Sequence, residues 1–168
     1  YFHAVNYHQL KASFLAELHT QVSDKIGSAQ QLIDFTIESK TSATKGSAGD
    51  KHETGRAMME RELTLAKSQL NKAEFQQNEL SKISSSLIYK KVEFGALVIT
   101  SGAVYFMSIG LGRVSIDLST RKQLSEGLES IPFYAISCSS PIGMTLLNAV
   151  KGDTVVFRGN NIEILGIQ

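Results

Sequence analysis

The chain has 168 residues, a formal net charge of +1, 42% hydrophobic and 20% charged residues, the balance of one or two small soluble domains. So small a net charge leaves no bulk electrostatic footprint for nucleic acid or a membrane surface, and no uninterrupted apolar run is long enough to cross a bilayer. Cys138 is the one cysteine, which rules out an intramolecular disulfide, argues against a cysteine-based zinc site and fits a reducing, cytoplasmic setting.

Residues 1–8 lack the charged-then-apolar layout of a signal peptide and carry no functional weight. Residues 9–89 contain no proline and read as helix. Leu15, Leu18, Val22, Ile26, Ala29, Ile33 and Ile37 recur every three or four positions. Met59, Leu63, Ala66, Leu70, Ala73, Gln77, Leu80, Ser84 and Leu87 alternate spacings of four and three, a heptad seam. Between the stripes, Thr41 to Gly49 is rich in Ser, Thr, Gly and Ala, the composition of a loop. Two narrow stripes of similar length around one short loop predict an antiparallel coiled-coil hairpin, each arm about 45 to 55 Å long. An intermolecular coiled coil is the alternative. The hairpin spans residues 9–89, with its tip near 41–53.

At that tip stands Gly49-Asp50-Lys51-His52-Glu53. Asp50 and Glu53 are three apart, so at a helix start their carboxylates can share a face. One reading is a capping box, Asp50 as N-cap and Glu53 at N3. The other is a pair of carboxylates held at the end of a rod, delivering charge into a site on another molecule. Lys45, Lys51 and Arg56 are candidates for RNA phosphates or an ordinary solvated tip. A lone exposed His52 is read as neither base nor ligand.

From Val92 the period shortens to that of strands. Residues 92–99 and 103–109 read as a pair joined by a Ser101-Gly102 turn, with further strands at 113–118 and 133–137. Ser140-Pro141 opens a short helix, Ser140 as N-cap and Pro141 at N1. Residues 154–158 and 162–167 read as a closing hairpin around Gly159-Asn160-Asn161. The segment 90–168 is thus a small, mostly antiparallel β-rich domain, and the whole chain is α+β. Phe94, Tyr105, Phe106, Phe133 and Tyr134 are read as core aromatics, and Cys138 as a half-buried residue without nucleophilic duty.

Taken together, these features resemble the Gre transcript cleavage factors of bacterial RNA polymerase. Gly49-Asp50, two variable residues and Glu53 match the family's tip. Ser140-Pro141-Ile142-Gly143, the Leu146-Leu147 pair and Lys151-Gly152-Asp153-Thr154-Val155-Val156 match its C-terminal run, and Phe94-Gly95-Ala96 a weaker third pattern. Thr54-Gly55-Arg56-Ala57-Met58 departs from the family's continuation of Asn, a small residue, an acid and Tyr. Ser139 stands where an Asp or Asn is usual.

The resemblance implies an FKBP-like C-terminal domain that docks on RNA polymerase through Ser139, Ser140 and Pro141. It implies a coiled coil that enters the secondary channel and meets nascent RNA in the elongation complex. Asp50 and Glu53 would help hold a second Mg²⁺ shared with the polymerase, which then hydrolyses its own backtracked RNA. The factor would be a monomer and not itself an enzyme. Mg²⁺ suits such a site, because it prefers oxygen ligands and often takes one or two carboxylates beside substrate phosphates. The alternatives are a non-cleaving regulator that occludes the channel, a prolyl isomerase or chaperone, and a plain coiled-coil adaptor.

Overall fold

The computed structural model describes residues 6–43, 49–117, 128 and 130–168, with the backbone alone at 43 and 49–52. Two long helices, α1 (Tyr7–Ala43) and α2 (Gly49–Ser81), form a helical hairpin that precedes a six-stranded mixed sheet. The chain is therefore α+β. Its contacts divide it into two compact units: one runs to Leu18 and resumes from Glu79 to Gln168, the other is His19–Asn78.

In the second unit, Val22, Ala29, Ile33 and Thr36 of α1 are buried, as are Ala66, Ala73 and Gln76 of α2. Residues of α1 from Asp24 to Leu32 share one groove with residues of α2 from Gln69 to Gln76. Further along, Lys40 Nζ donates to Glu60 Oε1 at 3.0 Å. The matched positions rise on one helix as they fall on the other, so the pair is antiparallel. Small side chains at 29, 66 and 73 let the backbones approach. The buried stripe departs from the sequence reading at two places. Thr36 is buried where Ile37 was expected, and Gln76 where Gln77 was. Val22, Ala29 and Thr36 keep a seven-residue spacing, as do Ala66, Ala73 and Leu80, so Thr36 continues the heptad seam where Ile37 would have left it. Cysteines at Ala29 and Ala73, in a background with Cys138 replaced, are expected to be joined within one chain by a short bifunctional reagent in dilute solution. Crosslinks found only between chains would overturn the antiparallel pairing.

Helix α2 stops at Ser81, so residues 82–89 do not continue it as their pattern implied. The amides of Lys82 and Ile83 reach back only three residues, to the carbonyls of Glu79 and Leu80. This tightened last turn runs into Ser84-Ser85-Ser86, where the Ser84 and Ser86 hydroxyls bond each other at 2.8 Å. Ser84 and Leu87 therefore leave the heptad seam.

In the first unit the strands are β1 (Leu97–Thr100), β2 (Val104–Met107), β3 (Gly112–Val114), β4 (Phe133–Ile136), β5 (Thr154–Phe157) and β6 (Asn160–Ile167), in spatial order β3-β4-β2-β1-β6-β5. The β2–β4 pair is parallel and the others are antiparallel. The extended run expected from Val92 begins only at Leu97. Gly95 adopts φ +91°, and the Ala96 amide closes a turn on the Glu93 carbonyl at 3.0 Å. The Ser101-Gly102 turn is organised by Thr100, whose hydroxyl donates to the Ala103 carbonyl at 2.7 Å and accepts from the Ala103 amide at 3.1 Å. β3 is shorter and earlier than expected, and Leu118 lies outside the described residues.

Strand alternation gives the sheet two buried faces. Val98, Tyr105, Met107, Tyr134, Ile136, Ile164 and Ile167 pack with Leu146 and Ala149, behind the short helix α3 (Pro141–Leu146). On the other face lie Phe106 and Phe133, and there the first turns of α1 join the sheet. Leu10, Phe14 and Leu18 are fully buried. The Phe14 ring meets Phe106 edge-on at 5.1 Å and Phe133 at 5.9 Å, the arrangement that ring quadrupoles favour. Of the expected core aromatics, Phe106 and Phe133 are buried, Phe94 is half-buried, and Tyr105 stacks on Tyr134 at 5.7 Å over the first face.

Candidate functional site

The acidic pair lies at the start of α2. That helix begins at Gly49, so Asp50 is in its first turn and Glu53 one turn further on. The capping-box reading is corrected by this placement, because Asp50 sits inside the helix and not at the N-cap before it. Residues at i and i+3 share a helix face, so the two acidic positions stay on one side of α2. The Glu53 side chain is exposed. The side chains of Asp50 and Lys51 lie outside the description, and Lys45 is outside the described residues.

Arg56 does not turn toward Glu53. Its Nε lies 3.8 Å from Glu60 Oε1, one turn further along α2. The same oxygen accepts from Lys40 at 3.0 Å. The hydrogen bond and charge of Lys40, then the charge of Arg56, pull the Glu60 carboxyl below its ordinary range. Arg56 and Glu60 are exposed and Lys40 is half-buried, so the ion pairs contribute little to stability. Their consequence is one of placement: two basic groups gather on Glu60, below the acidic pair. Arg56 and Glu60 are visible in the sequence as an i, i+4 pair. Lys40 is not, since it meets Glu60 only through the hairpin register.

The Ser139-Ser140-Pro141 segment belongs to the first unit. Ser140 is the N-cap of α3, in extended conformation, and its hydroxyl accepts from the Gly143 amide at 3.1 Å while donating to the Ser137 carbonyl at 2.7 Å. Pro141 occupies the first turn, where its missing N–H costs nothing. Ser139 and Pro141 are exposed, and the Ser139 hydroxyl shares a 3.0 Å hydrogen bond with that of Ser137. Behind them Met144, Leu147 and Val150 are exposed, so this capped turn carries both polar and apolar surface. Burial pushes the Cys138 thiol up, away from the thiolate that nucleophilic chemistry needs.

Gly143 is what lets the turn close. A Cβ there would lie 2.1 Å from the Ser137 carbonyl oxygen and 2.8 Å from the Ser140 hydroxyl. Gly143→Ala is expected to destabilise the protein by about 2–3 kcal/mol, read as a lower urea midpoint. A midpoint equal to that of the parent would mean that α3 is not held by this contact.

Among the described residues no group of three or more His, Cys, Asp or Glu side chains gathers to hold a metal, and no helix is long and apolar enough to cross a membrane. Lys11 carries no signal as a functional residue in the sequence, yet it is fully buried. Its one sequence sign is spacing, since it stands four positions before Leu15 on the apolar stripe.

The architecture is thus that of an α+β protein built from a long helical hairpin and a six-stranded mixed sheet. No protein-family model matches the chain, and no curated protein matches it. Among solved structures, that of the transcription factor Gfh1 aligns over 90% of this chain and 93% of its own, at 12% identity and a TM-score of 0.34. Overlap that loose carries no argument about fold or function.

Proposed function

We propose that this chain is a Gre-like transcription factor that acts on RNA polymerase and stimulates hydrolysis of backtracked RNA. The observation that carries the reading is the position of Asp50 and Glu53. They occupy the first two turns of α2, beside the connection between helices of 37 and 33 residues, within a Gly-Asp-x-x-Glu pattern like that of the Gre tip. Helices of that length reach about 50 Å, enough to carry a charge down a channel.

The acidic pair suits Mg²⁺. It offers hard oxygen ligands, and a partner's carboxylates and substrate phosphates would complete the shell. When held, such an ion polarises a phosphate oxygen and activates water. The chain's own part is to present two acidic positions three residues apart on α2 and to keep Arg56 and Lys40 on Glu60. The Ser139-Ser140-Pro141 turn is the proposed docking surface on the polymerase, its backbone held by the Ser140 cap. Nascent RNA is the proposed substrate of the joint site, and the protein acts as a monomer in the cytoplasm.

The test is a stalled, backtracked elongation complex given purified protein. Shortening of the RNA 3′ end at a rate that depends on added protein is the expected result. If the protein binds the polymerase and blocks nucleotide addition without shortening RNA, cleavage is wrong and occlusion of the channel replaces it. If it does not bind, the transcription reading fails.

A further inference from the structure

Lys11, in the second turn of α1, is the largest fully buried polar side chain described. Its Nζ donates to the Leu87 carbonyl at 2.8 Å and the Gln168 carbonyl at 3.3 Å, and lies 4.5 Å from the centroid of the Tyr89 ring. Among the described residues no aspartate or glutamate pairs with it. Burial brings its pKa from 10.5 down to about 8. The folded value lies below the unfolded one, so the unfolded chain binds more protons between the two, and this group's contribution to stability grows as pH rises from about 8 toward 10.5. A core holds such a group at a cost, and what it secures here is the backbone of residues 87–89.

The Leu87 carbonyl is tied inward. The Tyr89 ring is folded in as well, with its hydroxyl over Gly95, where a Cβ would come within 2.5 Å of it. The side chains of Leu87 and Ile88 are left outside, 55% and 74% exposed. Lys90 and Lys91 follow, both exposed. Lys91 donates to the neutral Asn148 amide oxygen at 3.2 Å, and Lys90 has no carboxylate partner among the described residues. Lys82 is already paired with Glu79.

Single exposed aliphatic residues are ordinary. Two in succession, on backbone clamped by a buried cation and beside two uncompensated ammonium groups, form a preorganised anchor. We propose that residues 87–91 are a docking loop for an acidic amphipathic segment of a partner protein, with Leu87 and Ile88 entering its apolar face and Lys90 and Lys91 meeting its carboxylates. A lipid surface is the lesser fit. A fluid bilayer does not need a rigid loop, and two aliphatic side chains insert only weakly into it, whereas a packed protein interface gains from fixed geometry. The loop is independent of the cleavage reading and stands or falls separately.

The test uses the full chain, isotope-labelled, titrated with a synthetic amphipathic helix that carries leucines along one face and glutamates beside them. Amide shifts confined to the loop and its neighbours are expected. Ile88→Ser, an exposed change that leaves the melting temperature in place, weakens binding about tenfold or more. Lys90→Gln with Lys91→Gln flattens its salt dependence. Lys11→Met speeds hydrogen exchange at residues 87–89 and weakens binding, while its fold is checked by the same spectra; if it unfolds, Ile88→Ser alone decides. The proposal is overturned by an absence of shifts, by equal affinity of Ile88→Ser, or by equal binding of a peptide with lysines in place of the glutamates. It is also overturned if the loop prefers phosphatidylserine vesicles and loses them on Ile88→Ser, which would assign it to a membrane surface.

Discussion

Asp50→Asn with Glu53→Gln is expected to lower RNA cleavage in a backtracked elongation complex on the order of a hundredfold, the scale lost when a fixed electrostatic partner of a developing charge is removed. Folding stability should move by less than about 0.5 kcal/mol, as for exposed changes away from the core. Glu53 is exposed, and Asp50 lies within the first helical turn. The two measurements separate chemistry from stability. Lost cleavage with an unchanged melting curve supports the metal-ligand role. Equal loss of both would return the pair to a helix-terminal role. Full cleavage by the double variant would discard the acidic tip as the working part. Glu60→Gln is the informative companion, because it frees Arg56 and Lys40, now 3.8 and 3.0 Å from Glu60, to approach the acidic pair.

Phe14→Ala is expected to cost about 3–5 kcal/mol and to lower the melting temperature by about 10 °C. The ring is fully buried and touches Phe106 and Phe133 on two adjacent strands, β2 and β4. Its removal opens a cavity between the first turns of α1 and the sheet. Phe14→Leu should recover most of the loss, since it restores volume without the edge-on ring contacts. A loss below about 1 kcal/mol for Phe14→Ala would mean that α1 and the sheet do not share a core.

How much of this was legible beforehand depends on the distance over which each feature is decided. The short helix after Ser140 was readable to the residue, because a Ser-Pro start is settled within one turn by the hydroxyl and the proline ring. The Ser101-Gly102 turn was readable for the same reason; the β5–β6 hairpin was readable as a hairpin, but Asn160 and Asn161, read as its turn, already pair with Phe157 and Val156. The end of α2 was not. Apolar spacing runs on to Leu87, and only the i−3 bonds at Lys82 and Ile83 reveal that the helix has stopped.

Sequence alone determined two long helices around one polar connection, an acidic pair beside that connection, and a β-rich remainder. Each follows from periodicity and local backbone preference, which act over a few residues. Tertiary structure decided the rest. The parallel β2–β4 pair joins strands separated by a long stretch of chain, and nothing local records which strand a segment will meet. Phe14, not the Leu15 read from the sequence, is the buried residue there, and it packs on a sheet, because an apolar face specifies burial and not the partner that buries it. Lys11 reads as an ordinary helical lysine until two carbonyls and a tyrosine ring close over it. Glu60 reads as one solvated acid among many until the hairpin register brings Lys40 across. Contacts between distant segments are set by how the whole chain fills space, and that information is not held at any single position.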